Sequence, residues 1–423
     1  MKVSKIKQIQ PNTLIVGIDI AKQTHWAQMM LQGKLIGKAF SFQNTRESFE
    51  NLVTTLKAYQ QKLGATNIVV GMEPTGHYFK PLAYYLHGTG MCEVVIVNPY
   101  HVNRSKEFDD NSPSKNDRKD ARLIAKLISQ GTYFNLPLIF NIWAELRTAN
   151  VSRMQLTQKR WQLKCQLITI LDQYFPEFPE VFKNVLGKGA MYVLTHCPFP
   201  DNILELGEQT LSEGLRGATH NRVGQKRAQK LWEAAQNSIG IKEGVRGARL
   251  QLAHLVEELN LIHKQLEETE EMMSQLLKQT GLGDYLTSIP GVGMVTAAAF
   301  LAEIGNPDEY ESYKQIQKKA GLNLRENSSG KHKGKTTISK RGRPALRQLM
   351  YQIAYVSVAK NAEMKAFYEY LKNRKENPLA GKQALIAVAV KMMKVMLAVC
   401  KNRSNYDGGK VGNQNLVVRM QAA

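Results

Sequence analysis

The sequence predicts a mixed α/β N-terminal domain, then a helical spacer, then a mostly α-helical C-terminal domain. Three observations carry this. Residues 13–135 alternate short β-rich apolar runs with helical patterns. Residues 140–280 hold two long stretches with apolar residues at helical spacing. Residues 281–402 combine small-residue helices with glycine-rich turns and a basic stretch.

In the first domain, strands are expected at 13–19, 25–31, 36–43, 67–73 and 92–98, and helices at 45–62, 76–88 and 117–130. The first three strands follow one another closely, as a meander, and later strands alternate with helices. That order is the one found in the ribonuclease-H-like fold. Sugar kinases and actin-like ATPases share the same core, so the fold alone fixes no activity. Residues 1–12 read as a polar, basic N-terminal arm.

Four acids stand out in this frame. Asp19 ends the run Leu14-Ile15-Val16-Gly17-Ile18, and Glu73 ends Ile68-Val69-Val70-Gly71-Met72. A buried strand gains nothing in packing from a terminal carboxylate. Asp117 and Asp120 open a helical pattern at i, i+3 and so share a helix face. Each acid alone could serve a turn or a helix cap. Together they offer the oxygen ligands that Mg²⁺ or Mn²⁺ takes, and two bound cations can stabilise both the attacking and leaving oxygens of phosphoryl transfer.

The spacer should contain helices over Leu146–Tyr174 and Val245–Gln279. In the second, Leu250, Leu252, Leu255, Leu259, Ile262, Leu266, Met273 and Leu277 recur at helical spacing beside several glutamates. This fits an antiparallel or self-pairing coiled coil and equally a helical bundle. Residues 178–244 read as more irregular. In the C-terminal domain, Ile289-Pro290-Gly291-Val292-Gly293 before a small-residue helix looks like a helix-hairpin-helix turn, whose Gly291 and Gly293 would let backbone N–H groups approach a phosphate. A ligand-free tight turn would use the same glycines. Ser328-Ser329-Gly330 leads into Lys331, Lys333, Lys335, Lys340, Arg341, Arg343 and Arg347, with no acid from 327 to 362. Such a run is often a solvated surface; its glycines and the helix after it favour a phosphate-gripping loop. Residues 403–423 read as a flexible tail.

Composition narrows the class. The chain has 423 residues, and 57 Lys+Arg against 36 Asp+Glu give a net charge of +21, which points to a polyanionic partner. A membrane role is disfavoured: residues 1–12 lack the apolar core of a signal peptide, and Lys391 and Lys394 interrupt the most apolar late stretch. Cys92, Cys165, Cys197 and Cys400 are far apart, which argues against a disulfide framework or a zinc site and fits a reducing cytosol.

These residues together resemble the DEDD transposases of the IS110/IS1111 insertion-sequence type. The N-terminal signatures are Gly17-Ile18-Asp19-Ile20-Ala21-Lys22, Met72-Glu73-Pro74-Thr75-Gly76-His77-Tyr78 and Asp117-Arg118-Lys119-Asp120-Ala121. The C-terminal signatures are Ile289–Gly293, Leu301-Ala302-Glu303-Ile304-Gly305, Ala320-Gly321-Leu322, Ser329-Gly330 and Ser339-Lys340-Arg341-Gly342. Asn116 stands where Thr is usual, and Arg343 where Asn is usual. Neither departure removes a catalytic group.

The resemblance implies a RuvC-like domain holding a divalent cation through Asp19, Glu73, Asp117 and Asp120. It also implies a serine nucleophile in the C-terminal domain that becomes covalently linked to DNA. Ser329 takes that role by position, with Ser328 as the alternative. It further implies a homo-oligomer, dimer or tetramer, in the prokaryotic cytosol or nucleoid, acting on donor and target DNA with an element-encoded guide RNA. The acids and the serine could meet within one subunit or across two. Competing readings are a RuvC-type Holliday-junction nuclease acting by hydrolysis, which leaves Ser329 without a role, and a non-catalytic nucleic-acid-binding protein.

Overall fold

The computed structural model describes residues 9–74, 76–109, 117–136, 138–326, 328–329, 332–334 and 336–411. It divides into two compact units, Met1–Ile139 and Phe140–Ala423. Of the expected phosphate-gripping residues, Lys331 and Lys335 lie outside the described residues, as do 1–8 of the N-terminal arm and 412–423 of the tail.

The first unit is built on one six-stranded sheet, order β3-β2-β1-β4-β5-β6. Its strands are β1 (Thr13–Asp19), β2 (Thr24–Leu31), β3 (Lys34–Gln43), β4 (Asn67–Met72), β5 (Glu93–Ile96) and β6 (Phe134–Asn135). The first three form the expected antiparallel meander, and β4 and β5 join parallel to β1. This arrangement is consistent with the ribonuclease-H-like expectation. The helices are α1 (Arg46–Leu63), α2 (Phe79–Thr89), α3 (Pro99–Asp109) and α4 (Asp117–Ser129). Side chains alternate across the central strands. Leu14, Val16, Ile18, Ile68, Val70 and Met72 enter a core with α1 and α2. Ile15 and Val69 enter a second core with Leu123, Ile124, Leu127 and Ile128 of α4. Two elements were not anticipated. β6 has only two residues, and α3 is rich in polar residues and lacks an apolar stripe.

The second unit contains two long helices, α5 (Asn141–Tyr174) and α11 (Val245–Gln279). They pair antiparallel within the chain. Arg153, early in α5, donates to Glu270, late in α11, at 2.6 Å, while Ile241 N, just before α11, donates to Gln173 O at 3.0 Å near the end of α5. The expected irregular segment 178–244 instead holds five helices: α6 (Phe178–Val181), α7 (Lys188–His196), α8 (Pro200–Leu206), α9 (Glu208–Thr219) and α10 (Gln225–Gln236). They share one core with Leu163, Leu167 and Leu171 of α5 and Leu252, Leu255, Leu259, Ile262 and Leu266 of α11. The α11 leucine stripe is therefore largely satisfied inside the chain. Leu250, which fits the pattern by spacing, points outward and is 60% exposed.

A separate core gathers the C-terminal elements. These are α12 (Gly283–Thr287), α13 (Met294–Ile304), a short 3₁₀ turn Pro307–Glu309, α14 (Tyr313–Ala320), β7 (Leu324–Arg325), β8 (Ser328–Ser329), β9 (His332–Lys333), β10 (Thr337–Ile338), α15 (Pro344–Lys360), α16 (Ala362–Asn373), α17 (Gly381–Asn402) and α18 (Gly408–Val411). Among the described residues, α17 is the one helix long and apolar enough to cross a membrane, but it is mostly buried in this core, with Val388, Met392 and Met396 fully covered.

Candidate active site and nucleic-acid interface

In the first unit the close approach of α4 to the sheet places the acids. A Cβ at Gly17 would lie 2.3 Å from both Ala121 O and Ala125 N, and one at Gly71 would lie 2.2 Å from Ile128 Cδ1. Only glycine lets the helix backbone lie this near the central strands. Ile18 and Met72 are register partners on parallel β1 and β4, so Asp19 and Glu73 leave neighbouring strands at the same end. By alternation, both follow the glycines on the α4 side of the sheet. Asp120 directly precedes Ala121, the residue pressed on Gly17, and is buried at 7% exposure. Asp117 begins α4 and is exposed. Arg118, between them, holds its guanidinium carbon 4.6 Å from the centroid of the Trp26 ring, and Trp26 pairs with Asp19 across β1 and β2. This cation–π contact ties the first turn of α4 to the acidic end of the sheet.

The donor set suits a hard divalent cation, because carboxylate oxygens are its preferred ligands. The geometry is looser than a finished cage. Among the described residues no three His, Cys, Asp or Glu groups stand close enough together to hold a metal ion. The structure thus brings Asp19, Glu73 and Asp120 to one side and one end of the sheet and leaves Asp117 exposed at the head of the helix.

Ser329 lies in the second unit, on a nested hairpin between α14 and α15. β7 pairs with β10, and within them β8 pairs with β9, Ser328 opposite Lys333 and Ser329 opposite His332. Within the basic run expected as a loop, His332–Lys333 and Thr337–Ile338 are thus short strands, and both candidate serines lie on the same short strand. Its neck joins two glycines. Gly321 has φ +68°, and a Cβ there would lie 2.8 Å from the Lys340 carbonyl carbon. A Cβ at Gly342 would lie 2.4 Å from Lys319 O. Lys340 N donates to Gly321 O at 3.0 Å, and Arg343 N to Lys319 O at 2.7 Å.

The expected phosphate-gripping residues divide by surroundings. Lys340 and Arg341 are exposed at the neck. Arg343 is half-buried and bonds Glu303 at 2.7 Å, and Arg347 donates to Ala320 O at 3.0 Å. Both hold the neck to the core. Gly291 adopts φ +91°, and a Cβ there would lie 3.4 Å from both Val356 and Lys360 of α15, so this glycine answers to packing; nothing crowds Gly293.

Spacing had not revealed the polar network behind the neck. Glu303 is 1% exposed, bonded by Arg343 and, at 3.3 Å, by Asn150 Nδ2. Arg147 donates to Ala302 O and Glu303 O. Lys319 Nζ donates to Ile304 O at 2.8 Å and to the Tyr310 hydroxyl at 2.7 Å. Burial first, then the nearby Arg147 and Arg343 cations, pushes Lys319 down to about 8. The sequence signal was an acid inside the apolar run Met294–Ile304, since an unpaired carboxylate there would be costly.

The comparisons with known proteins match both parts of the chain. A DEDD transposase model of the IS110 type matches residues 16–176, and a model described as Transposase IS116/IS110/IS902 family matches residues 283–369. A 44.8 kDa protein of insertion element IS116 from Streptomyces clavuligerus is 25% identical over 396 residues, 92% of this chain and 94% of the relative. A 43.6 kDa protein of insertion element IS110 from Streptomyces coelicolor is 22% identical, covering 93% and 95%. The pilin gene-inverting protein of Moraxella bovis is 23% identical, covering 93% and 97%. With both domains present in order, and similarity along nearly its whole length, the chain belongs to the IS110/IS116/IS902 family of insertion-sequence transposases.

Proposed function

We propose that this transposase cuts and rejoins DNA through a covalent serine–DNA intermediate, with the acidic face of the first unit holding Mg²⁺ or Mn²⁺. The observation that carries the reading is the placement of Asp19, Glu73 and Asp120 on one side and one end of the sheet, where α4 presses on Gly17. Asp19, Glu73, Asp117 and Asp120 are the residues that would hold the cation. When bound, it would neutralise charge on the phosphate and polarise the bond to be broken.

Ser329 supplies the nucleophile. Its Oγ forms a bond to phosphorus as the bond to one sugar oxygen breaks, and the serine proton ends on the released hydroxyl. A strand end bearing a free hydroxyl then attacks the phosphoserine, restoring a phosphodiester and the serine. One ester bond is exchanged for another at each step, so no external energy source is needed. The name of the Moraxella relatives supports this over hydrolysis, because inverting a gene requires rejoined strands. The guide RNA and the homo-oligomer rest on the family resemblance, and the +21 charge suits two nucleic acids.

The test is incubation with labelled donor and target DNA, the element's RNA and Mg²⁺, then denaturing electrophoresis. A protein–DNA adduct is expected in wild type, absent in Ser329→Ala and reduced at least about a hundredfold in Asp19→Ala. An adduct surviving Ser329→Ala but lost in Ser328→Ala moves the nucleophile by one residue. Recombination by both serine variants rejects the serine mechanism.

A further inference from the structure

The family signatures leave residues 178–244 without a role, yet the five-helix bundle there encloses a cleft of about 600 Å³. Its charge is one-sided. Lys183, Lys188, Arg222 and Arg227 line it, with Glu180 as the one acid. The same walls include Gly187, the N-cap of α7, with Lys188, Gly189 and Ala190 of its first turn, so the N-terminal end of that helix borders the cleft. Arg227 is fixed at the edge. It donates to Val181 O, and its guanidinium carbon lies 5.7 Å from the Phe182 ring centroid. Opposite, His220 and Asn221 both take left-handed backbone angles, φ 52° and 61°, in the turn that brings Arg222 to the rim.

We infer that this cleft is a phosphate-binding site that grips the backbone of a nucleic acid held by the transposase. Four cations, a helix N-terminus and one acid form a place for negative charge. Aromatic side chains in the cleft are few: Phe182 is buried beside Arg227 and His220 sits at the rim, so cationic groups outnumber stacking surfaces. Contacts from these cations to phosphate oxygens confer no sequence preference. The cleft opens on α6, α7 and the α9–α10 turn, at the end of the α5–α11 pair remote from the C-terminal core. A helix the length of α5 spans about 50 Å, so a grip here engages nucleic acid well away from the hairpin that bears Ser329. The site is distinct from the catalytic assignments, and its test reads binding alone.

The experiment measures fluorescence anisotropy of labelled duplex DNA and labelled structured RNA with the full-length protein, over a range of salt. Lys188→Glu combined with Arg222→Glu should weaken at least one of the two by about tenfold at moderate salt and flatten the log–log salt slope by about two units. The nucleic acid affected identifies the occupant. Glu180→Gln should tighten the same ligand about twofold, a gain that a misfolded variant cannot mimic. Unchanged affinity and slope for both nucleic acids in a double variant that melts like wild type overturn the inference. So does a small anion as the true ligand: pyrophosphate bound at micromolar concentration, lost in the double variant while nucleic-acid binding stays intact.

Discussion

The acidic face of the first unit and the hairpin neck of the second solve the same problem with different materials. Both bring elements close at paired glycines, Gly17 with Gly71 and Gly321 with Gly342. On the acidic face, a helix presses on the middle of a sheet whose central strands are covered on both sides. Asp120 is consequently fixed by packing. At the neck, short strands of two residues project beyond the contact, and Ser329 is carried on backbone held by few ladder bonds. The difference teaches that much of a family signature is scaffold. Gly17 precedes Asp19 because α4 must lie on it, and Gly342 follows Lys340-Arg341 because Lys319 O lies against it.

The comparison breaks most visibly by filling those contacts. Gly17→Ala would place a methyl against immovable helix backbone, and Gly321→Ala adds a left-handed φ to a similar clash. Each should cost on the order of 2–3 kcal/mol. Gly71→Ala meets side-chain atoms, Ile128 Cδ1 at 2.2 Å and Val95 Cγ2 at 2.9 Å, which yield more readily than backbone, and should cost about 1–2 kcal/mol. Thermal melting of the three full-length variants gives the ranking. The two units should respond separately: Gly17→Ala should abolish cleavage while protecting the hairpin from proteolysis as in wild type, and Gly321→Ala should expose the hairpin. Equal, small losses in all three would show that the contacts relax freely.

A finer test concerns what anchors the neck. Glu303 is buried and Arg343 is half-exposed, so their removal is not symmetrical. Arg343→Met leaves a carboxylate in the core without its cation, with Asn150 still donating to it, at a cost of roughly 3 kcal/mol. Glu303→Gln keeps the shape, can still accept from Asn150, and leaves an arginine that reaches water, at about 1 kcal/mol. Urea unfolding of the two variants measures the difference, and the reverse order would remove Glu303 from the centre of the network.

The same contrast explains what could be read from sequence. Asp19 and Glu73 were legible because a carboxylate closing an apolar strand violates the packing rule for buried strands. The α5 and α11 helices were legible because each exceeds thirty residues, long enough for the period to stand out. The five helices between them run from four to twelve residues, too short for a stripe to rise above the turns that separate them. The hairpin was read as a loop for a related reason: two-residue strands have no alternation to detect. The partner of α11 was left open because periodicity shows that a face is buried and not by what. Arg343 and Arg347 were grouped with the phosphate-gripping cations because charge runs look alike until their partners are known, and both bond into the core.

The pH-dependent effect concerns Lys319, which the neck covers and the network surrounds. Its ammonium is held by Ile304 O and Tyr310, yet burial and two arginines outweigh these contacts and lower it to about 8 against an ordinary 10.5. The folded protein therefore releases this proton earlier than the unfolded chain does. Below pH 8 the cost of the buried ammonium is fully present. Between pH 8 and 10.5 the unfolded chain binds more protons at this site, so stability rises with pH there, by up to about 3 kcal/mol if the whole shift is realised. Tyr310 opposes this only higher, since burial raises it to about 12 and its unfolded counterpart ionises near 10. The useful window is pH 8 to 9.5. Urea midpoints of wild type and Lys319→Met across that window should diverge from the curves of an ordinary surface lysine variant. Wild type should gain on Lys319→Met as pH rises, because the methionine has no proton to lose. Parallel curves would mean that water reaches Lys319 and that the neck is open, which would make it the more mobile of the two glycine contacts.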